Sequence, residues 1–228
     1  MESTTSAIRN NPGYIAFFDL DRTISGAISG RALAREAARR GLLKGNDLLH
    51  ASWLGLSYRM GIGNPVEIME KMTGWVKGIP LRTLDELCIT VTEKVMIPAV
   101  HPEVYSELDM HRSAGAKTVI LSSTLIPVCR RMAEFLKMDD IIGSELETKD
   151  NYLTGRPNGK LCYGDEKLKR LIEYCEKNNT THTNAWYYAD ALIDMPALNM
   201  VGVSVCVNPD RKLKKIALGK SWRICSWK

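Results

Sequence analysis

The sequence contains no run of about 18 uninterrupted apolar residues, the length that a membrane-spanning helix requires. Residues 1–6 carry neither a basic start nor an apolar core, so a secretory signal is not expected. Aromatic residues make up only 7%, but hydrophobic residues reach 45% and charged residues 25%, which excludes a disordered or collagenous chain. These absences favour a globular, cytoplasmic protein without a membrane span.

Cysteine pairs with metal-binding or disulfide spacing are also absent. The cysteines lie far apart, with no C-x-x-C pair. A zinc site or a disulfide framework would need tighter spacing. We therefore expect reduced, mostly buried thiols at Cys88, Cys129, Cys162, Cys175, Cys206 and Cys225.

Acidic residues are missing from the end of the chain. The net charge is +5, and every charged residue after Asp210 is basic: Arg211, Lys212, Lys214, Lys215, Lys220, Arg223 and Lys228. Such a tail could make peripheral contact with an anionic membrane, but a solvated last helix and strand is the simpler explanation. No aromatic-interleaved motif accompanies the charge, so no nucleic-acid partner is expected. The oligomeric state is left open.

Short apolar runs alternate with helical patterns along the chain. The runs cover residues 14–20, 117–121, 140–142, 185–189 and 202–207, and the helical patterns cover 103–113, 126–136, 165–177 and 210–218. This alternation predicts an α/β fold, a Rossmann-like parallel sheet covered by helices on both faces. The turn-rich residues 147–160 predict a small β-hairpin or an extended loop beside the sheet.

One connection is much longer than a crossover between parallel strands requires. Residues 26–98 contain no convincing strand, and helices are predicted over 31–40, 46–60, 65–76 and 81–96. We interpret the interval as an all-helical cap at 26–98, inserted into a core formed by 1–25 and 99–228. The cap would cover the carboxyl ends of the strands, where open α/β sheets bind ligands.

The first predicted strand ends in two carboxylates, Asp19 and Asp21, and Thr23 follows them. Two carboxylates so close together at a strand end repel each other unless a cation lies between them. A set of few, oxygen-only ligands favours Mg²⁺. The alternative is that Asp21 or Thr23 caps the next helix.

Two further elements suit a phosphate group. Ser122 and Ser123 follow the second strand, where hydroxyl and backbone N–H groups can hold phosphate oxygens or simply cap the following helix. Lys167 lies at the start of a later helix and could neutralise phosphate, although single lysines are common on surfaces.

A second pair of aspartates follows the fourth strand. Asp190 is placed to complete a metal site, with Asp194 behind it to orient the ligands. The alternative is that Asp194 caps the helix that continues through Pro196.

The order of these motifs resembles the haloacid dehalogenase superfamily of phosphohydrolases. The phosphoserine-phosphatase-like subclass, IB, with its helical C1-type cap, is the most similar. The resemblance covers residues 13–226 and rests on the segments FFDLDRT, VILSST, GDEKLKRL and YYADALIDMP, with VNPDRKLKKIA resembling the C-terminal stretch of the subclass.

The resemblance implies a Mg²⁺-dependent phosphatase acting on a small phosphorylated substrate. Asp19 would be the nucleophile that forms an aspartyl-phosphate, and Asp21 the general acid and then the base. The phosphate would be held by Thr23, Ser122, Ser123 and Lys167, of which Lys167 also stabilises charge during the reaction. Mg²⁺ would be bound by the Asp19 carboxylate, the Asp21 backbone carbonyl and Asp190, and Asp194 would orient these ligands.

Two departures from the subclass restrict the substrate. Ile28 replaces a glutamate that helps to hold the ammonium of phosphoserine, and Ile193 replaces an asparagine next to the last motif aspartate. Phosphoserine is therefore not the expected substrate. Histidinol phosphate, a lipid phosphate such as phosphatidylglycerophosphate, phosphotransfer to an alcohol and non-enzymatic binding of a phospholigand remain as alternatives.

Three arginines, Arg31, Arg35 and Arg39, recur on one face of a predicted cap helix. They form either a basic collar that attracts an acidic substrate or a solvated face that pairs with Glu36 and its neighbours. The solvated face is the more common role of such a pattern and is the one that the sequence favours.

Overall fold

The computed structural model describes residues 13–43 and 73–228. Six parallel strands form one sheet in the order β3-β2-β1-β6-β7-β8. Their bounds are β1 Ile15–Phe18, β2 Lys117–Leu125, β3 Asp140–Ser144, β6 Trp186–Ala189, β7 Val203–Val207 and β8 Arg223–Cys225. The predicted α/β sheet is confirmed. The edge strand β8 was not predicted, because three residues are too few to show an apolar pattern.

Seven α-helices lie in the described ranges. They are α1 Ser29–Arg39, α2 Leu81–Val91, α3 Glu103–Ser113, α4 Ile126–Leu136, α5 Asp165–Lys177, α6 Met195–Met200 and α7 Arg211–Gly219. Helices α3, α4 and α5 have the bounds that the sequence predicts. In α5 the apolar face that fixes this prediction includes the buried residues Leu171 and Cys175.

Neighbouring residues of the central strands point to opposite faces of the sheet, and both faces are buried. Phe17 and Tyr187 belong to the hydrophobic cluster on one face. Phe18 and Tyr188 belong to the cluster on the other, where their rings stack with centroids 4.2 Å apart. The central strands β1 and β6 are therefore apolar throughout instead of alternating.

In the described part of the interval 26–98 the regular elements are all helical. Helix α1 starts at Ser29, and the predicted helix 81–96 divides into α2 and a π-helical turn at Thr92–Met96. The Thr92 hydroxyl donates to the Cys88 carbonyl at 2.7 Å, so this side chain bonds the backbone one turn back. The predicted helix 46–60 and residues 65–72 of the next lie outside the described residues, and the separate cap domain stays a prediction.

The predicted hairpin is present as β4 Leu146–Lys149 and β5 Tyr152–Pro157, which pair antiparallel. Asp150 and Asn151 form its turn with φ of 52° and 65°, the left-handed conformation that two-residue hairpin turns favour. Backbone bonds join the hairpin to the segment before α2, with Gly78 N–H donating to the Leu153 carbonyl at 2.8 Å. The hairpin thus holds the end of the helical interval against the core.

Strand β2 continues beyond the predicted boundary at Leu121. It runs through Ser122 and Ser123 to Leu125, because pairing with β3 resumes at Leu125 and Ser144 after a register shift. The two serines therefore lie within the strand, and the prediction that they occupy a strand-to-helix turn is wrong. The alternative in which they cap α4 is also wrong, since Leu125 occupies the N-cap.

The basic C-terminal region is partly used inside the fold. Arg223 pairs with the buried Glu107, and Lys220 lies 5.5 Å from the ring centroid of Trp222. All six cysteines are buried and unpaired, which confirms the expected thiols. Within residues 13–43 and 73–228, no helix combines the length and the apolar character needed to cross a membrane.

Candidate active site

The first candidate residue, Asp19, follows β1 directly. Its backbone N–H donates to the Tyr188 carbonyl at 2.9 Å, which places the residue where β1 and β6 end side by side. Asp19 is only 6% exposed. Burial, followed by repulsion from Asp194, raises the pKa of this carboxyl, although Lys167 opposes the rise.

Lys167 is buried at the third position of α5 and links two carboxylates. Its Nζ lies 3.0 Å from Asp19 Oδ1 and 2.6 Å from Asp194 Oδ1. Burial works against the charge of this lysine, but Asp19 and Asp194 more than compensate and raise its pKa. The Tyr187 hydroxyl also donates to Asp194 Oδ1, at 2.6 Å. The Asp194 side chain makes no cap bond to α6, so the capping alternative is wrong.

Asp190 brings a third carboxylate to the site. Carboxylate oxygens of Asp19, Asp190 and Asp194 lie within 4.8 Å of one another, and all three residues are buried. Burial and the charge of Asp19 raise the pKa of Asp190 to about 8. The half-exposed Arg22 lies beside it, with Nε 3.2 Å from Asp190 Oδ2. We call Asp19, Lys167, Tyr187, Asp190 and Asp194 the active-site cluster.

A divalent cation fits this arrangement. Three buried carboxylates face a single buried ammonium, so negative charge is in excess before any ligand binds. The Thr23 hydroxyl, two residues beyond Asp21, is a buried oxygen with no hydrogen-bond partner among the described residues. Hard oxygen donors of this kind are the ligands that Mg²⁺ prefers.

The Asp21 carboxylate lies on another side of the site. It accepts hydrogen bonds from the Ser29 backbone N–H at 3.0 Å and from the Ser29 hydroxyl at 2.8 Å. Because Ser29 is the first residue of α1, the bond from its backbone satisfies a free N–H of that helix. Ile28 occupies the N-cap, so the alternative in which Asp21 or Thr23 caps the next helix is wrong. Burial, and then the charge of Asp19, raise the pKa of Asp21 to about 6.

The predicted phosphate ligands differ in their positions. Ser122 is fully buried, lies close enough to Asp19 to lower the pKa of that carboxyl, and donates to the Thr124 hydroxyl at 3.2 Å. Ser123 is half-buried and makes no side-chain hydrogen bond within the described ranges. Lys167 contacts Asp19, and Thr23 is buried two residues beyond Asp21. The structure therefore brings Ser122, but not Ser123, close to Asp19.

Sequence reasoning missed four residues that shape the site. Ser29 donates to Asp21 and bonds Thr124 at 2.9 Å, Arg22 contacts Asp190, and Tyr187 bonds Asp194. Thr124 and Tyr187 stand inside the quoted motifs, and their polar groups next to buried strand ends were a usable signal. Ser29 carried no such signal, because its role depends on how the chain turns after Asp21.

A second buried polar cluster lies on the opposite face of the sheet, formed by Tyr14, Glu107, His111, Tyr188 and Arg223. Tyr188 donates to Glu107 at 2.6 Å, so it accepts from His111 Nε2 at 2.8 Å. His111 Nδ1 then accepts from Tyr14 at 2.8 Å, which fixes a neutral ring. Burial and the nearby Arg223 lower the pKa of His111 to about 3. We call this group the tyrosine-histidine cluster.

Solved structures share this fold. A crystal structure of a protein of unknown function from Bordetella pertussis Tohama I is 21% identical and covers 95% of this chain and 99% of its own, with a TM-score of 0.85. A structure of a phospho-aspartyl intermediate analogue of phosphoserine phosphatase is 16% identical, with a TM-score of 0.71, and covers 94% of this chain and 93% of its own. Both similarities concern the fold.

Sequence comparison points to one family. A histidinol-phosphatase from Neisseria meningitidis serogroup C is 26% identical over 223 residues, which covers 94% of this chain and 99% of that protein. The profile of the haloacid dehalogenase-like hydrolases matches residues 16–199, a range that includes every member of the active-site cluster. The chain therefore belongs to the haloacid dehalogenase-like hydrolase family.

Proposed function

We propose that this chain is a Mg²⁺-dependent phosphomonoester hydrolase that works through an aspartyl-phosphate on Asp19. Its class, a phosphatase, follows from the family and from the name of its meningococcal relative. The observation that carries the proposal is the excess of buried carboxylate: oxygens of Asp19, Asp190 and Asp194 lie within 4.8 Å of one another. Two cations face them, Lys167 on Asp19 and Asp194 and the half-exposed Arg22 on Asp190. A protein gains no stability from this excess, so we assign it to ligand binding and chemistry.

Asp19 is positioned to attack phosphorus. Lys167 holds Asp19 Oδ1, which leaves Oδ2 as the attacking oxygen. The new bond joins Oδ2 to phosphorus, and the bond from phosphorus to the ester oxygen breaks. Lys167 and Ser122 would stabilise the charge that develops on the phosphoryl oxygens.

Asp21 is the best candidate for proton transfer. With a pKa raised to about 6, a useful fraction of this carboxyl is protonated near neutral pH. It would donate its proton to the departing ester oxygen and later accept one from water. That water attacks phosphorus, the bond to Asp19 breaks, and inorganic phosphate leaves.

Mg²⁺ would be held by Asp19, Asp190 and the Asp21 backbone carbonyl, with Asp194 orienting the ligands. When bound, it would neutralise the phosphoryl oxygens and the carboxylate excess. Residues 26–98 would act as a cap that closes over the substrate. The six unpaired, buried thiols support a reducing compartment, the cytoplasm, as the place of the reaction.

The substrate we propose is a small phosphorylated metabolite other than phosphoserine. Ile28 and Ile193, both half-buried, stand where the resembling subclass has polar recognition groups. Ile193 packs beside Gly164 and offers no hydrogen bond there.

The test is release of inorganic phosphate from para-nitrophenyl phosphate and a panel of natural phosphomonoesters, with Mg²⁺ or with a chelator. We expect Mg²⁺-dependent release that falls by at least about 10³-fold in Asp19→Asn, because the amide cannot act as nucleophile. Asp109→Asn, at an exposed residue of α3, is the matched control and should retain full activity. Release that survives Asp19→Asn would refute the proposed nucleophile.

A further inference from the structure

A basic groove opens beside the active site. It has a volume of about 410 Å³ and lies between α1 and the chain that follows α2. Its apolar lining includes Ala27, Ile28, Val91 and Val95. A groove of this size and lining accepts the organic part of a small ligand.

The polar lining of the groove is strongly cationic. Arg31, Arg35, Arg39 and Lys94 line it, and Glu36 is its one acidic residue. Glu36 is already paired, because its Oε1 lies 2.6 Å from Arg39 Nη2 and 2.8 Å from Arg40 Nε. The groove therefore offers positive charge without an available carboxylate.

Three cations of this set are free: Arg31, Arg35 and Lys94. In the described part of the chain none of them makes a salt bridge or a side-chain hydrogen bond, and all are exposed. Arg31 lies in the first turn of α1, a helix with no acidic residue in that turn. A cation there faces the positive end of the helix dipole, so helix stability does not account for it.

Two residues that line the groove, Ala27 and Ile28, connect it to Asp21, the proposed general acid. Ile28 lines the groove and immediately precedes Ser29, which donates twice to the Asp21 carboxylate. Ala27, also in the lining, accepts from the Arg22 backbone N–H at 3.2 Å. A leaving group that is protonated by Asp21 and directed past Ala27 and Ile28 would enter this groove.

We propose that Arg31 and Arg35 select phosphomonoesters whose leaving group carries a second anionic group. This inference rests on the proposed phosphatase function and deepens it. Guanidinium groups bind carboxylates and phosphodiesters through paired, charge-assisted hydrogen bonds. Among the described residues that line the groove, no unpaired carboxylate is available to a leaving group that bears an ammonium, because Glu36 is paired and Ile28 is apolar.

The experiment compares leaving groups that differ mainly in charge. Wild-type enzyme with Mg²⁺ is assayed on 3-phosphoglycerate, glycerol 3-phosphate and O-phosphoethanolamine, whose leaving groups are anionic, neutral and cationic. A short-chain phosphatidylglycerol phosphate in neutral detergent adds a lipid source of the same second anion. We expect kcat/KM to be highest for one of the two anionic compounds and lowest for O-phosphoethanolamine.

Two variants test the residues themselves. Arg31→Gln and Arg35→Gln should each lower the ratio of kcat/KM between the preferred anionic substrate and glycerol 3-phosphate by about tenfold, through loss of a charge-assisted bond. Arg82→Gln is the matched control, because it removes an equal charge from an arginine on α2 that is outside the groove and paired with Glu86. Its ratio should equal that of the wild type.

The outcomes separate this inference from the proposed function. If para-nitrophenyl phosphate and glycerol 3-phosphate are hydrolysed but the ratio is the same in Arg31→Gln, Arg35→Gln and wild type, the groove does not select substrate and the phosphatase proposal stands. A preference for O-phosphoethanolamine would likewise overturn the inference. If no phosphomonoester is hydrolysed at all, the proposed function fails first.

Discussion

Two adjacent tyrosines of β6 lead to two different kinds of buried polar cluster. Tyr187 points into the active-site cluster and donates to Asp194, whereas Tyr188 points through the other face of the sheet and donates to Glu107. Both clusters are buried between sheet and helices. They differ in charge balance. On one side three carboxylates face two cations, the buried Lys167 and the half-exposed Arg22, whereas on the other side Glu107 is matched by Arg223.

This difference separates a functional cluster from a structural one. In the tyrosine-histidine cluster each hydroxyl and ring nitrogen has a partner, and burial keeps His111 neutral. Such a network adds specificity to the core and leaves no group free to bind a ligand. In the active-site cluster the pKa of Asp19 and of Asp190 is raised, so both carboxylates are poised to gain a cation.

The largest expected effect follows from removing the cation of either cluster. Lys167→Met should lower kcat on para-nitrophenyl phosphate by about 10²–10³-fold, since a buried charge next to the reacting oxygens is lost. Arg223→Met also removes a cation from a buried carboxylate. It should leave kcat unchanged and lower the free energy of unfolding by about 1–2 kcal/mol, because Arg223 is partly exposed. Steady-state kinetics and urea unfolding measure the two effects.

If Arg223→Met lowers kcat as much as Lys167→Met does, the distinction between a functional and a structural cluster is wrong. The two clusters would then act as one unit through β6, and charge balance would not distinguish them. Circular dichroism of both variants shows whether loss of activity reflects loss of fold.

The sequence predicted one of these clusters far better than the other. Asp19, Asp21 and Asp190 stand directly after apolar runs, and parallel strands bring their carboxyl ends together whatever the details of packing. His111 and Tyr14 are distant in sequence, and each occupies a position that suits an ordinary core residue. Their contact depends on how α3 packs under β1, which no local pattern encodes. The same holds for Ser29, which reaches Asp21 only through the turn after β1.

The tyrosine-histidine cluster should make stability depend on pH. The pKa of His111 is lowered to about 3 in the folded protein, against 6.5 for an ordinary histidine. The stability that the neutral His111 adds to the fold is therefore fully present above pH 6.5 and is lost as the pH falls towards 3. When the pH is lowered from 7.5 to 5.0, the free energy of unfolding should fall by about 2 kcal/mol more in the wild type than in His111→Gln. Urea titrations at both pH values measure this difference.

His182→Gln is the matched control, because His182 is half-buried in a short turn before β6 and lies outside the cluster. It should retain the pH dependence of the wild type. Equal pH dependence in His111→Gln and wild type would show that protonation of His111 is not coupled to folding, and the description of this cluster as a closed, neutral network would fail.

The smallest effect should have opposite signs in the two clusters. With a chelator present, Asp190→Asn should raise the free energy of unfolding near neutral pH by about 1 kcal/mol. The raised pKa of Asp190 means that the fold holds this carboxyl at a cost that an amide avoids. Glu107→Gln should lower it by a similar amount, since Arg223 then loses its carboxylate. The urea midpoint of each variant against wild type gives the sign directly. A loss of stability in Asp190→Asn would mean that the contact with Arg22 outweighs the repulsion from Asp19 and Asp194. The negative charge of the carboxylates would then be neutralised by residues of the protein itself, and it would no longer be evidence that this cluster binds a cation.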